Sequence, residues 1–275
     1  MNQPFRKAVW LFTTFCFSAG TISAQLPAGP RSSAMGNASV ALSDVWSAFN
    51  NQAGLAWLNG VRAGIFYENR FLLPELSIQG AAVSVPFRKA GVFGCSILHS
   101  GYTEYSDSKF GLCYARRFGA VFSIGVQINL HWIHIGDVYG DLVTATGELS
   151  FQVNPSPKWV LAAHVFNPTR TPLAEYRSEK INTVFRLGAA CRFGDKVTAS
   201  VEVEASVTKL PSARLGAEYR PSKTIFLRAG FNAYPLSPAF GFGIFVKKFQ
   251  IDAAASWYPL LGFSPQVSFN YDFTK

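Results

Sequence analysis

The chain has 275 residues and a formal net charge of +9, with 49% hydrophobic residues but only 15% charged ones. Soluble domains carry about 25% charged residues, so this is a lean supply for a surface facing water on all sides. Past the N-terminus, however, no stretch approaches the ~18 unbroken apolar residues of a spanning helix. A helical membrane protein is therefore excluded, and one-sided strands become the natural home for so much apolar side chain.

At the start, Arg6 and Lys7 precede an apolar segment, Ala8 to Phe17, followed by the small residues Ser18-Ala19-Gly20 and Ile22-Ser23-Ala24-Gln25. These are the three parts of a secretory signal peptide, with cleavage expected after Ala24 and residues 1–24 removed. Thr14-Phe15 ahead of Cys16 does not suit lipoprotein processing. The apolar run is also too short, and too broken by Thr and Ser, for a single membrane anchor.

Residues 25–60 do not alternate. Leu42, Val45, Trp46 and Phe49 fall at i, i+3, i+4 and i+7, the stripe of a short helix, with Ser43 or Asp44 placed to cap its start. Gly54 and Gly60 break the chain afterwards. So short a helix needs a surface to bury its stripe. Two readings stay open: a hatch inside a barrel, built on Leu42, Val45, Trp46, Phe49, Asn51 and Gly54, or a small periplasmic lid that never enters the lumen.

From Val61 to Phe273 one unit recurs about fourteen times: some ten residues alternating apolar and polar, then a turn. Strands are expected near 61–70, 75–87, 89–99, 105–118, 119–134, 141–153, 157–167, 181–193, 195–208, 211–221, 223–232, 237–248, 249–258 and 264–273. Every second turn is tight and basic: Pro86 to Lys89, Arg116 to Gly119, Asn154 to Lys158, Phe193 to Lys196, Arg220 to Lys223, and Lys247-Lys248. The turns between them read as mostly longer, with Asn167 to Lys180 the longest. Two unlike sets of turns mean two unlike ends, the pattern of an all-β transmembrane antiparallel barrel over residues 61–275 with periplasmic turns on one side. In the clearest strand, Phe122, Ile124, Val126, Ile128, Leu130 and Trp132 face lipid, while Ser123, Gly125, Gln127, Asn129 and His131 face the lumen. Val267, Phe269, Tyr271 and Phe273 give the last strand an outward aromatic face.

The same alternation aims Arg186, Glu202, Glu204, Arg214, Glu218, Arg228 and Asp252 into the lumen from successive strands. This is either a polar track that guides a ligand or a structural network that holds the hatch, since buried charges need partners. Eleven cations in or beside the tight turns, among them Arg88, Lys89, Arg116, Arg117 and Lys158, form a basic rim, either to meet anionic headgroups or an acidic periplasmic partner or simply because turns must be polar. Nucleic acid is excluded as a partner, because the charge is spread round a rim and the protein is exported. Cys95, Cys113 and Cys191 sit in strands without metal-like spacing, and a Cys95-Cys113 pair is open if their strands bring them opposite. No GxSxG, HExxH or phosphate loop occurs. His131 and His134 point to opposite faces, and His99 and His164 are isolated. A non-enzyme without metal or cofactor is expected, although a Ser-His pair assembled from distant strands would leave no sequence signature.

Two stretches carry a resemblance. Arg31-Ser32-Ser33-Ala34-Met35-Gly36-Asn37-Ala38-Ser39-Val40-Ala41-Leu42 and then Asn51-Gln52-Ala53-Gly54-Leu55-Ala56 resemble the N-terminal signature of FadL-type outer-membrane proteins, closest to the PorV/PorQ kind. That pattern has proline where Gln52 stands. Val201 to Glu204, Arg214 to Pro221, Leu227 to Asn232 and Phe240 to Gly243 extend the likeness along the chain. The resemblance implies a fourteen-stranded barrel with a luminal hatch in the outer membrane of a Gram-negative bacterium. It implies either passage of a small hydrophobic solute or an accessory role beside a type IX secretion translocon; a purely structural barrel is the third reading. The expected partners are outer-membrane lipids and, through the closing strand, the barrel insertion machinery.

Overall fold

The computed structural model describes residues 28–87, 90–136, 140–173, 180–208 and 210–274. The expected signal peptide at 1–24, the turn residues Arg88 and Lys89 and the loop tip at 174–179 lie outside the described residues.

Fourteen strands follow one another as antiparallel neighbours: β1 (Arg62–Asn69), β2 (Ser77–Phe87), β3 (Gly91–Tyr102), β4 (Tyr105–Phe118), β5 (Phe122–Ile135), β6 (Gly140–Ser156), β7 (Trp159–Phe166), β8 (Val184–Phe193), β9 (Val197–Ser206), β10 (Ser212–Tyr219), β11 (Ile225–Ala233), β12 (Leu236–Val246), β13 (Phe249–Tyr258) and β14 (Gly262–Asp272). β14 pairs back onto β1, with Ile65 opposite Phe269 and Tyr67 opposite Val267, so the sheet closes on itself. Closure is what lipid demands, because hydrocarbon offers no partner to an open strand edge. Among the described residues no helix is long and apolar enough to cross a membrane; the crossing is made by strands.

Alternation decides which way each strand faces. On β5, Ile128 is 71% exposed, while its neighbours Gln127 and Asn129 are 2% and 0% exposed. Val201 and Val203 face out on β9, and Ser200 and Glu202 face in. The outward aromatics of β14 are as expected, and Phe249, Tyr271 and Phe273 pack together where β13 meets it, with ring centroids 4.9 and 4.5 Å apart.

The two ends differ less in loop length than the sequence suggested. Residues 103–104 and 234–235 form turns as short as the basic turn at 247–248, because Tyr102 still pairs with Tyr105 and Ala233 with Leu236. The length asymmetry rests mainly on residues 70–76 and 167–183. The expected turn from Asn154 to Lys158 is also shorter. β6 continues to Ser156 through a register shift after Val153, which lets Pro155 sit in a bulge instead of a ladder. Cys95 and Cys113 do not pair: Cys95 opposes Leu112 on the exposed face and Cys113 opposes Gly94 on the buried one.

Candidate functional site: the barrel lumen

Residues 28–58 run between the inward faces of strands on opposite arcs of the barrel. They include helix α1 (Pro30–Ala34), helix α2 (Ser47–Asn50) and a 3-10 turn, Gln52–Trp57. Pro30 opens α1, where a missing N–H costs nothing. Ser33 Oγ lies 2.9 Å from Ser256 Oγ of β13, and Ser200 Oγ of β9 donates to the Ala38 carbonyl at 2.9 Å. Across the lumen, the Ala53 amide donates to Ser150 Oγ of β6 and Trp57 Nε1 to Ser123 Oγ of β5, both at 2.9 Å. The wall makes room at Gly216 and Gly230, where a side chain would strike the backbone of Met35 and Gly36.

Leu42, Val45, Trp46 and Phe49 are all buried, but the helix expected beneath them is only the single turn of α2. Local side chains take the backbone groups that a longer helix would use. Asp44 Oδ1 accepts from the Trp46 amide at 2.9 Å, and Ser47 Oγ donates to the Leu42 carbonyl at 3.1 Å. The stripe therefore divides. Val45, Trp46 and Phe49 join Leu55, Phe66, Ile78 and Val92 on one wall, whereas Leu42 joins Met35, Val40, Val160 and Ala162 on another. Asn51 holds the bend between them, its Nδ2 donating to the Val40 carbonyl at 2.6 Å and its Oδ1 accepting from the Ala53 amide at 3.1 Å. Gly54 follows in the 3-10 turn, too close to Ser47 Oγ to carry a side chain.

All seven charged residues expected in the lumen point inward, but they form two clusters. In the first, Glu202 accepts from Arg186 Nε at 2.7 Å and Arg214 Nη1 at 2.9 Å, and Arg214 Nη2 reaches Glu204 at 2.7 Å. The free side of Glu202 caps residues 28–58: its Oε2 accepts the amides of Ser39 and Val40 at 2.8 and 2.7 Å. Arg186 adds donations to the Asn50 carbonyl and Ser39 Oγ. In the second cluster, Arg228 bridges Glu218 at 2.7 Å and Asp252 at 2.6 Å. It reaches Asp252 across β12 because Gly243 leaves the path clear.

The second cluster also contains two residues that alternation on the strands could not reveal. Arg31, from α1, donates to Glu218 at 2.8 Å and to Asp44 at 3.0 Å. Burial opposes its charge, yet the pull of Glu218 and Asp44 outweighs burial and raises its pKa above the ordinary arginine value. A third cluster, on β4 to β7, was not anticipated although it obeys the same parity. Glu148 accepts from Lys109 Nζ at 3.4 Å, Asn129 Nδ2 at 2.8 Å and Gln52 Nε2 at 2.6 Å, and its Oε2 lies 2.9 Å from His164 Nε2. His164 is thus not isolated, and Gln52 finds a partner in Glu148. His131 is buried inside beside Thr146, while His134 is exposed on the outer face beside Asp141.

Residues 28–58 border two spaces in the lumen. A chamber of about 700 Å³ opens among the basic turns and reaches Arg31, Asp44 and Trp46. A chamber of about 330 Å³ at the opposite end reaches Ser33 and Asn37 and is lined by Glu68, Arg70, Glu204 and Arg214. Among the described residues the ladders carry a register shift only between β6 and β7, and β6 residues 140–147 pair with β5 but have no β7 partner, because β7 ends at Phe166.

A closed fourteen-stranded antiparallel barrel, apolar outside and polar inside, defines the class: a transmembrane β-barrel. The chain is similar to the crystal structure of a Pseudomonas aeruginosa FadL homologue, at 12% identity and a TM-score of 0.69 over 91% of this chain and 99% of that one. It is similar to the CymD monoaromatic hydrocarbon channel (14% identity, TM-score 0.70, 90% and 98% covered). The Ralstonia pickettii toluene transporter TbuX is a further neighbour (13% identity, TM-score 0.67, 92% and 100% covered). These likenesses establish the fold. No protein-family model matches the sequence, and no curated protein matches it.

Proposed function

We propose that this chain is a non-enzymatic outer-membrane barrel of a Gram-negative bacterium that mediates passage of a small hydrophobic solute, with residues 28–58 as its hatch. The observation that carries this reading is the match of the fold, over nine-tenths of the chain, to channels named for monoaromatic hydrocarbons and toluene. Trp46 lines the larger chamber and belongs to an apolar seam with Phe49, Leu55, Phe66 and Ile78, between the hatch and β1 and β2. A hydrocarbon entering the lumen would partition into that seam, and passage requires the hatch to shift. The two charge clusters of β8 to β13 act as its anchors, not as a ligand track, since they bond residues 31–50. The outward aromatics of β14 would be read by the insertion machinery.

Cells making the chain should take up radiolabelled toluene faster than cells carrying an empty vector. Equal uptake, with the barrel correctly inserted, overturns the reading. A second reading, a PorV-like accessory subunit of type IX secretion, is favoured by the filled middle of the lumen. A mild-detergent pull-down decides for it if a large translocon co-purifies in stoichiometric amount.

A further inference from the structure

The basic turns are not equivalent around the rim. Lys196, Arg220, Lys223, Lys248 and Arg192 border the 700 Å³ chamber, whereas Arg116, Arg117 and Lys158 do not. Eight cationic and five acidic side chains line this chamber in all. Four of the acids are engaged by three cations deep in it or at its edge: Asp44 and Glu218 by Arg31, Glu218 and Asp252 by Arg228, and Asp272 by Arg62. The remaining five cations face one carboxylate, Asp195, and no ion pair joins them to it among the described residues. Arg220 is held by the Asp195 carbonyl at 2.8 Å and stacks over Phe226 at 5.9 Å, which sets its guanidinium in place without neutralising it.

We propose that this vestibule is a docking site for an acidic extended peptide segment of a periplasmic partner. Concave walls of low dielectric focus a surplus of one sign, raising both attraction and encounter rate for the opposite charge. The space lies within the ~300–1,000 Å³ range of ligand pockets, too large for one inorganic anion to fill. Lipid headgroups surround the barrel from outside and do not fill its lumen, so the cations bordering the chamber select a chain that enters end-on or as a loop. The peptide carboxylates would bond the five free cations, while the neutral floor of Arg31, Glu218, Arg228 and Asp252 limits how deep it goes. The inference is independent of whether a hydrocarbon passes.

The test is fluorescence anisotropy of a labelled oligoglutamate peptide with the barrel in nanodiscs of zwitterionic lipid. Binding should weaken at least about tenfold in K196E/K223E/K248E, and change no more than about twofold in R116E/R117E/K158E, the same charge change on the opposite arc. Equal losses in the two triple variants would show a diffuse rim field and overturn the site. Displacement by free glutamate or inorganic phosphate at matched charge concentration would make it a small-anion pocket and overturn the peptide reading. So would an affinity for phosphatidylglycerol vesicles that the vestibule triple, and not the other, abolishes. All six positions are turn or rim residues in exposed or half-buried places, and retained heat-modifiable migration confirms that each variant is folded.

Discussion

Glu202 shows how one buried side chain serves the wall and residues 28–58 together. It is 2% exposed, takes two guanidinium groups from neighbouring strands and still accepts two backbone amides from residues 39 and 40. Replacing one member of such a buried set costs about 3–5 kcal/mol, because the others keep their charge without a partner. Glu202→Ala should therefore lower the unfolding temperature and speed amide exchange at Ser39 and Val40, while Glu202→Gln, which keeps acceptors, should lose less. Exchange unchanged in the alanine variant would separate Glu202 from the hold on residues 28–58. Arg228→Ala should destabilise by a similar amount, since Asp252 is left fully buried. The proposed structural role predicts unaltered solute flux for the molecules that remain folded; altered flux at wild-type stability would restore the ligand-track reading.

Among elements, residues 28–58 are held by shape as well as by charge. α1 and the bend after it lie so close to β10 and β11 that Gly216 and Gly230 cannot bear side chains without displacing Met35 and Gly36. Gly230→Val should push the segment from the wall, and single-channel recordings should then show higher conductance than wild type, with a lower unfolding temperature. A destabilised barrel of unchanged conductance would mean that the hatch does not control the opening. Outside the short stripe from Leu42 to Phe49, residues 28–58 carry no regular period, so their course was illegible from pattern alone. Two of their side-chain anchors to the wall, Arg31 and Gln52, lie outside the Leu42-Phe49 stripe that marked the segment.

For the whole molecule, the outward belt sets stability in the bilayer. Ile128 stands in the middle of β5, and Phe118 at the end of β4 beside the basic turn. Ile128→Arg should cost about 2–4 kcal/mol and Phe118→Arg about 0–1 kcal/mol, because the penalty for a charge on the lipid face falls from midplane to interface. Urea titrations of folding into phospholipid bilayers measure both. Equal penalties would place the midplane away from the centre of the strands.

The period-two alternation and the recurring turns were enough to read fourteen strands, the face each presents and the lumen direction of seven charged residues, because side-chain direction in a strand is a local property of the backbone. Partnership is not local. Arg186 lies opposite Glu204 in register yet bonds Glu202 more closely, at 2.7 against 3.9 Å. Arg228 finds Asp252 across an intervening glycine strand, and Glu148 gathers Lys109, Asn129, His164 and Gln52 from three other strands and residues 28–58. Those pairings exist only once the sheet has closed and its inner faces confront one another and the N-terminal segment. Closure also set the basic turns at 193–196, 220–223 and 247–248 around a chamber that, among the described residues, the turns at 116–119 and 154–158 do not border.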